Sequence, residues 1–163
     1  AMGANIEISH ERTVGGEPVA DLRIRYAPLR GIDIPVEEVP LAIDELPAIL
    51  VAAACAEGVT VLRGAEELRV KESDRIASMA EGLTHLGIRN NVAPDGITVF
   101  GGSPVGGVIT THHDHRIAMS FAMAALRASD PIIVTDCAHV ATSFPGFAEL
   151  AAKTGLRLTV TAS

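Results

Sequence analysis

Charged side chains gather at three places in this 163-residue sequence, each just ahead of a stretch with helical patterning. They are Asp44-Glu45, then Arg69-Val70-Lys71-Glu72-Ser73-Asp74-Arg75, then His112-His113-Asp114-His115-Arg116. A helix N-terminus carries unpaired N–H groups and a partial positive charge, so a Lys or Arg beside it makes a strong anion site. The same placement works against the helix when no anion is near, which sets Arg75 and Arg116 apart from basic residues in a last turn. Lys71, Glu72 and Arg75 combine a cation, a candidate proton donor and a forked donor for carboxylate or phosphate. With a helix beginning near Glu72, Lys71 and Arg75 are four apart and converge on one ligand. Taken singly, each cluster also has a plain structural reading: Asp44, Ser73 and Asp114 are ordinary N-cap residues, and Asp74 suits a local pair with Lys71 or Arg75. Three such loops in equivalent places favour a shared anion site.

His112, His113, Asp114 and His115 are all metal-ligand types. Successive residues project in different directions, however, and Arg116 adds a fixed positive charge, so no metal is expected there. Cys55 and Cys137 lie in apolar stretches and read as core thiols of a reducing compartment. The sequence has no CxxC, no Gly-rich phosphate loop and no Ser/His/Asp order.

The elements that must position these clusters follow from periodicity. Residues 5–8 and 19–26 read as strands about the Gly15-Gly16-Glu17-Pro18 turn, and the second alternates Leu22, Ile24 and Tyr26 with Asp21, Arg23 and Arg25, the pattern of a half-buried strand. A first helix starts near Asp44 as N-cap, carries Pro47 in its first turn and stops at Gly58. A second puts Ile76, Met79, Ala80, Leu83 and Leu86 on one face and ends at Gly87. A third, Arg116 to Ala128, is apolar on nearly every face and should be buried all round. A fourth runs from Phe144 to Lys153. Strands are expected at Val59–Leu62, Ile88–Val92, Ile97–Phe100, Pro131–Val134 and Leu156–Val160, with Pro94-Asp95-Gly96 as a turn. The helix starts near 44, 73, 114 and 143 make first-to-third and second-to-fourth intervals of 70 residues each, which suggests a duplicated βαβα unit.

Composition limits the options. With 48% hydrophobic residues the chain can fill a core. Its net charge of −7 and five aromatic residues argue against nucleic acid as a partner. The longest apolar run, Leu46 to Ala56, is far short of a membrane span of ~18–20 residues, and the chain reads as cytoplasmic. The 25 alanines point to helices packed closely among other elements.

Leu68-Arg69-Val70-Lys71-Glu72-Ser73-Asp74-Arg75, Asp114-His115-Arg116-Ile117-Ala118-Met119 and Ala141-Thr142-Ser143-Phe144-Pro145 resemble successive signatures of the 3-phosphoshikimate 1-carboxyvinyltransferase (EPSP synthase) family, with Gly15 to Asp21 and Ile43-Asp44-Glu45 in the expected order before them. The resemblance covers nearly all of this chain but only the C-terminal part of that enzyme. It implies an α/β fold of repeated βαβαββ units with buried helices, an incomplete inside-out barrel. The expected units here are roughly 19–102 and 103–163, preceded by a hairpin strand 1–18. The implied activity moves the enolpyruvyl group of phosphoenolpyruvate to the 5-hydroxyl of shikimate 3-phosphate, with no cofactor. Carried over by position, Asp44 accepts the hydroxyl proton, Lys71 contacts the acceptor substrate, and Glu72 donates a proton to the phosphoenolpyruvate methylene. Arg75 and Arg116 hold the phosphoenolpyruvate carboxylate with His115 beside them, and Glu67 and Thr142 line the substrate site. Many members have a lysine where Thr142 stands; the Ala-Thr-Ser-Phe-Pro form resembles a subgroup associated with tolerance of glyphosate. The missing N-terminal portion of such an enzyme is the expected partner, and the chain alone is expected to be inactive. Two alternatives are a UDP-N-acetylglucosamine enolpyruvyl transferase, against which the KESDR and DHRIAM runs speak, and a non-catalytic anion-binding or domain-pairing module.

Overall fold

A computed structural model describes residues 1–161. Strands β1 (Asn5–Val14) and β2 (Glu17–Arg25) form an antiparallel hairpin, pairing Ile6 with Ile24 and Ile8 with Leu22. Both strands are longer than their alternation suggests, because Gly15 and Gly16 take positive φ and let the chain reverse tightly. The expected half-burial of β2 is not met. Leu22, Ile24 and Tyr26 are exposed, since no other described element covers the hairpin's apolar face.

The chain then runs beside β3 (Val59–Leu62) in a parallel sense through Arg30–Glu57 and Asp33–Val61 bridges. A 3₁₀ turn at Val36–Glu38 leads to α1 (Leu46–Ala54), whose second residue is Pro47, where a missing N–H costs nothing. Its N-cap is Glu45, with no side-chain cap, so the expectation for Asp44 is corrected: Asp44 stands one residue outside, and its carboxylate turns to three cations instead. A second 3₁₀ turn, Glu66–Val70, precedes α2 (Arg75–His85), which starts three residues later than the Glu72 start expected. Asp74 rather than Ser73 caps it, accepting from Ala77 N–H at 3.0 Å. Its apolar stripe is as read: Ile76, Met79, Ala80, Leu83 and the following Leu86 are all buried.

Strands β4 (Asn90–Ala93) and β5 (Gly96–Phe100) meet through the Pro94-Asp95-Gly96 turn, and the antiparallel sheet order is β3-β5-β4. Strands β6 (Gly107–Thr110) and β7 (Ile132–Thr135) pair in parallel, as a crossover through α3 (His115–Ala124) requires. No residue from Asp114 to Ala125 on α3 is fully exposed, although Met119, Ala122 and Met123 are only half covered, so burial all round is met in part. The fourth helix starts three residues later than the expected Phe144, as α5 (Phe147–Lys153), and a short helix outside the expected span, α4 (His139–Ser143), precedes it. Pro145 and a left-handed Gly146 at φ 82° separate the two. The strand expected at Leu156–Val160 does not form; that segment has no pairing partner among the described residues.

The core lies where α1, α2 and α3 pack on one another and on β5. Small residues set the helix spacing. A Cβ on Gly82 would stand 2.2 Å from the Phe121 ring, so α2 and α3 approach this closely only because Gly82 has none. With α1, α2 and α3 in contact, the residues at and just before their N-termini, 44–45, 71–75 and 114–116, join in one network.

Candidate active site

Arg75 is the centre of the network. It occupies the first position of α2, on the same stripe as Met79 and Leu83, so helical geometry drives its side chain into the protein, where it is only 1% exposed. A guanidinium there requires acceptors. Nε donates to Asp114 Oδ2 at 2.7 Å, Nη1 to Asp44 Oδ1 at 3.0 Å, and Nη2 to Glu72 Oε2 at 2.5 Å. Asp114 is fully buried, and its Oδ1 also accepts from the backbone N–H groups of Arg116 and Ile117 at the start of α3. Ser73 Oγ donates to Asp114 Oδ2 at 3.0 Å. One carboxylate thereby caps α3, neutralises the buried arginine of α2 and joins two helix N-termini.

Around that buried pair stands a more exposed ring. Arg116 donates from Nη1 to the Asp44 carbonyl at 2.8 Å and to Glu45 Oε1 at 3.3 Å, while its Nη2 lies 3.6 Å from Asp44 Oδ2. Lys71 Nζ lies 3.7 Å from Asp44 Oδ1 and donates to Glu67, four residues earlier. Three cations, two from helix N-termini and one from the loop before α2, therefore meet at Asp44. Burial alone would raise the Asp44 carboxyl, but Arg116, Lys71 and Arg75 outweigh it and hold it below its ordinary value. Burial opposes ionisation of Asp114 likewise, and the Arg75 hydrogen bond and charge, with the Arg116 amide and Ser73, bring it down. Lys71 is pushed up, first by its hydrogen bond to Glu67 and further by the charges of Asp44 and Glu67. At neutral pH Asp44 and Asp114 are thus ionised against the cations that surround them.

The structure brings together Asp44, Glu67, Lys71, Glu72, Arg75 and Arg116. Lys71 and Arg75 do converge, though on Asp44, and with Lys71 in a non-helical loop rather than on the helix that Arg75 begins. Asp74 pairs with Arg69 at 2.7 Å, not with Lys71 or Arg75. His115 is half-buried at the first position of α3. Thr142 is exposed on α4, which packs against α3, and makes no hydrogen bond within this network. No group of three or more metal-ligating side chains comes together among the described residues, although the His113 and His139 rings meet edge to face with centroids 5.5 Å apart.

Sequence reasoning missed that Asp114 is the counter-ion of Arg75 and that Glu45 and Ser73 support the network. The signal for Asp114 was present: an arginine on an apolar helix stripe must find a buried carboxylate.

Three comparisons bear on this geometry. A family model described as EPSP synthase (3-phosphoshikimate 1-carboxyvinyltransferase) matches residues 1–150. The 3-phosphoshikimate 1-carboxyvinyltransferases of Methylococcus capsulatus and Alkalilimnicola ehrlichii are 65% and 63% identical to this chain, over 98% and 97% of it. The chain spans 36% of the length of each of those relatives. A solved EPSP synthase from Acinetobacter baumannii superposes with a TM-score of 0.96 at 53% identity, covering 99% of this chain and 38% of that one.

Proposed function

The chain belongs to the EPSP synthase family, and from that premise we propose that it forms the C-terminal part of a cytoplasmic enzyme that transfers the enolpyruvyl group of phosphoenolpyruvate to the 5-hydroxyl of shikimate 3-phosphate. The observation that carries the reading is the meeting of Lys71, Arg75 and Arg116 with the carboxylates of Asp44 and Glu72 at two helix N-termini. Two anionic substrates repel each other, and a reaction between them needs fixed cations at the point of approach.

The chemistry is an addition followed by an elimination. The 5-hydroxyl oxygen bonds to C2 of phosphoenolpyruvate while C3 gains a proton; the tetrahedral product then loses phosphate and a C3 proton to regenerate the enol ether. Asp44, ionised beneath its three cations, takes the hydroxyl proton, and Glu72 supplies the proton at C3. Arg75 and Arg116 take the phosphoenolpyruvate carboxylate, with His115 beside them. Because Arg75 already holds Glu72 and Asp44, the substrate carboxylate reaches it by exchange, which frees Glu72 for its task. Lys71, steadied by Glu67, contacts the acceptor. Thr142 stands in place of a lysine that would add a cation for phosphoenolpyruvate or glyphosate. The two repeat units, roughly 19–102 and 103–163 after a hairpin strand 1–18, belong to the same reading.

Calorimetric titration of shikimate 3-phosphate into the full-length protein tests the site. Asp44→Ala and Arg75→Ala are each expected to weaken binding at least tenfold, about 1.4 kcal/mol. Unchanged affinity in both would refute the assignment. Inhibition by glyphosate is expected to strengthen at least tenfold in Thr142→Lys.

A further inference from the structure

The contacts that hold Lys71 and Glu72 in place are made with other members of the site. Lys71 leans on Glu67 and Asp44, and Glu72 on Arg75. Substrate anions compete for those same cations, so these contacts weaken when the site is used. Besides Ser73, which donates to the buried Asp114, Arg69 ties the loop to backbone that takes no part in the site. Arg69 donates from Nε to the Pro94 carbonyl at 2.6 Å, from Nη2 to the Ala93 carbonyl at 2.7 Å, and from Nη1 to Asp74 Oδ2 at 2.7 Å. The first two acceptors lie on the β4–β5 turn, and the third is the N-cap of α2. That turn grips the near end of the loop as well: Asp95 accepts from Gly64 N–H through its carboxylate and from Ala65 N–H through its carbonyl. The buried Leu68 pins the middle. The Pro94-Asp95-Gly96 turn is therefore a fixed post to which residues 64, 65 and 69 are tied, with Asp74 secured through Arg69.

We propose that Arg69 is a positioning residue for catalysis: it straps the Glu66–Asp74 loop to the β4–β5 turn and so keeps Lys71 and Glu72 in register with Asp44 when substrates occupy Arg75 and Arg116. The inference rests on the enolpyruvyl transfer reading above. A guanidinium suits the task because its planar fork reaches two carbonyls and a carboxylate at once, which a single ammonium does not. Arg69 itself touches none of Asp44, Glu72, Arg75 and Arg116 by hydrogen bond.

The test is steady-state phosphate release by the full-length protein with Arg69→Gln, Arg69→Lys and, as a charge-matched control, Arg63→Gln, whose one ion pair among the described residues is the exposed Arg63–Asp33 contact at 3.8 Å. Misplacement of catalytic groups by about 1 Å costs on the order of 100-fold. Arg69→Gln is expected to lower kcat about 30- to 100-fold with KM for both substrates within about threefold. Arg69→Lys, which keeps charge and stem and serves if the glutamine variant does not fold, is expected to lose about tenfold. Millimolar guanidinium is expected to restore part of the Arg69→Gln rate, and Arg63→Gln to leave it unchanged. An unchanged kcat per folded molecule in Arg69→Gln or Arg69→Lys, with any loss confined to the thermal midpoint, would overturn the strap and leave the proposed reaction standing. No phosphate release by the unmodified protein would overturn the reaction itself.

Discussion

Arg75 illustrates why one residue serves both stability and chemistry. Its first-turn position on a buried stripe forces a charge into the interior, and Asp114 answers it from the start of α3. Removing one member of a buried pair leaves the other uncompensated, a cost of about 3–5 kcal/mol. Arg75→Met is therefore expected to lower unfolding free energy by about that much in urea titrations, and the double variant Arg75→Met/Asp114→Leu to cost less than the sum of the single changes. The pH dependence follows from the same pair. Asp114 has a folded pKa below its unfolded value of 3.8, so its stabilisation is present above that value and is lost as pH falls through the lower folded one. The melting temperature is expected to fall as pH drops below about 4, and less steeply in Asp114→Asn, followed by circular dichroism. A slope as steep in the variant would assign acid sensitivity to other carboxylates.

At the scale of elements, close approach decides what can change. Gly82→Ala gains helix propensity of up to about 1 kcal/mol, but its methyl would stand 2.2 Å from the Phe121 ring, and the overpacking cost of about 1–3 kcal/mol wins. Net destabilisation in denaturant titration is the expected result. Legibility differed between elements for physical reasons. The stripe of α2, the β4–β5 turn and the cap at Asp114 were readable because each is set by local spacing and side-chain chemistry. Burial of β2 was not, because alternation states which face is apolar and says nothing of what covers it. The late start of the fourth helix was visible in Pro145-Gly146 yet outweighed by the apolar pattern around it. The site's members were legible as charged loops, whereas their partners were not: Asp44 looked like a cap and is a meeting point for three cations. Which carboxylate meets which cation depends on helix packing, which no local pattern encodes.

The whole molecule divides into a helix-packed core and a hairpin that shares little with it. Sheet β3-β5-β4 and the three central helices bury large side chains together, whereas every residue of β1 is exposed. An isolated two-stranded hairpin is marginal in water. Amides of residues 5–25 in this 163-residue chain are expected to exchange orders of magnitude faster than those of β5 and α2, as read by hydrogen exchange. Equal protection would mean that the hairpin is held by contacts beyond its own ladder. The site is an open patch in which Glu72 is half-exposed and Asp44 is 40% exposed, and catalysis of this kind needs water excluded around both reactants. The chain alone is expected to release no phosphate above background.

The central claim, that Asp44, Glu72 and the three cations around them form the reacting centre of an enolpyruvyl transfer, is tested most directly by phosphate release from the full-length protein supplied with phosphoenolpyruvate and shikimate 3-phosphate. The account predicts release that requires both substrates and falls on the order of 100-fold or more in Glu72→Gln. Release that is undiminished in that variant, or that proceeds without shikimate 3-phosphate, would contradict it.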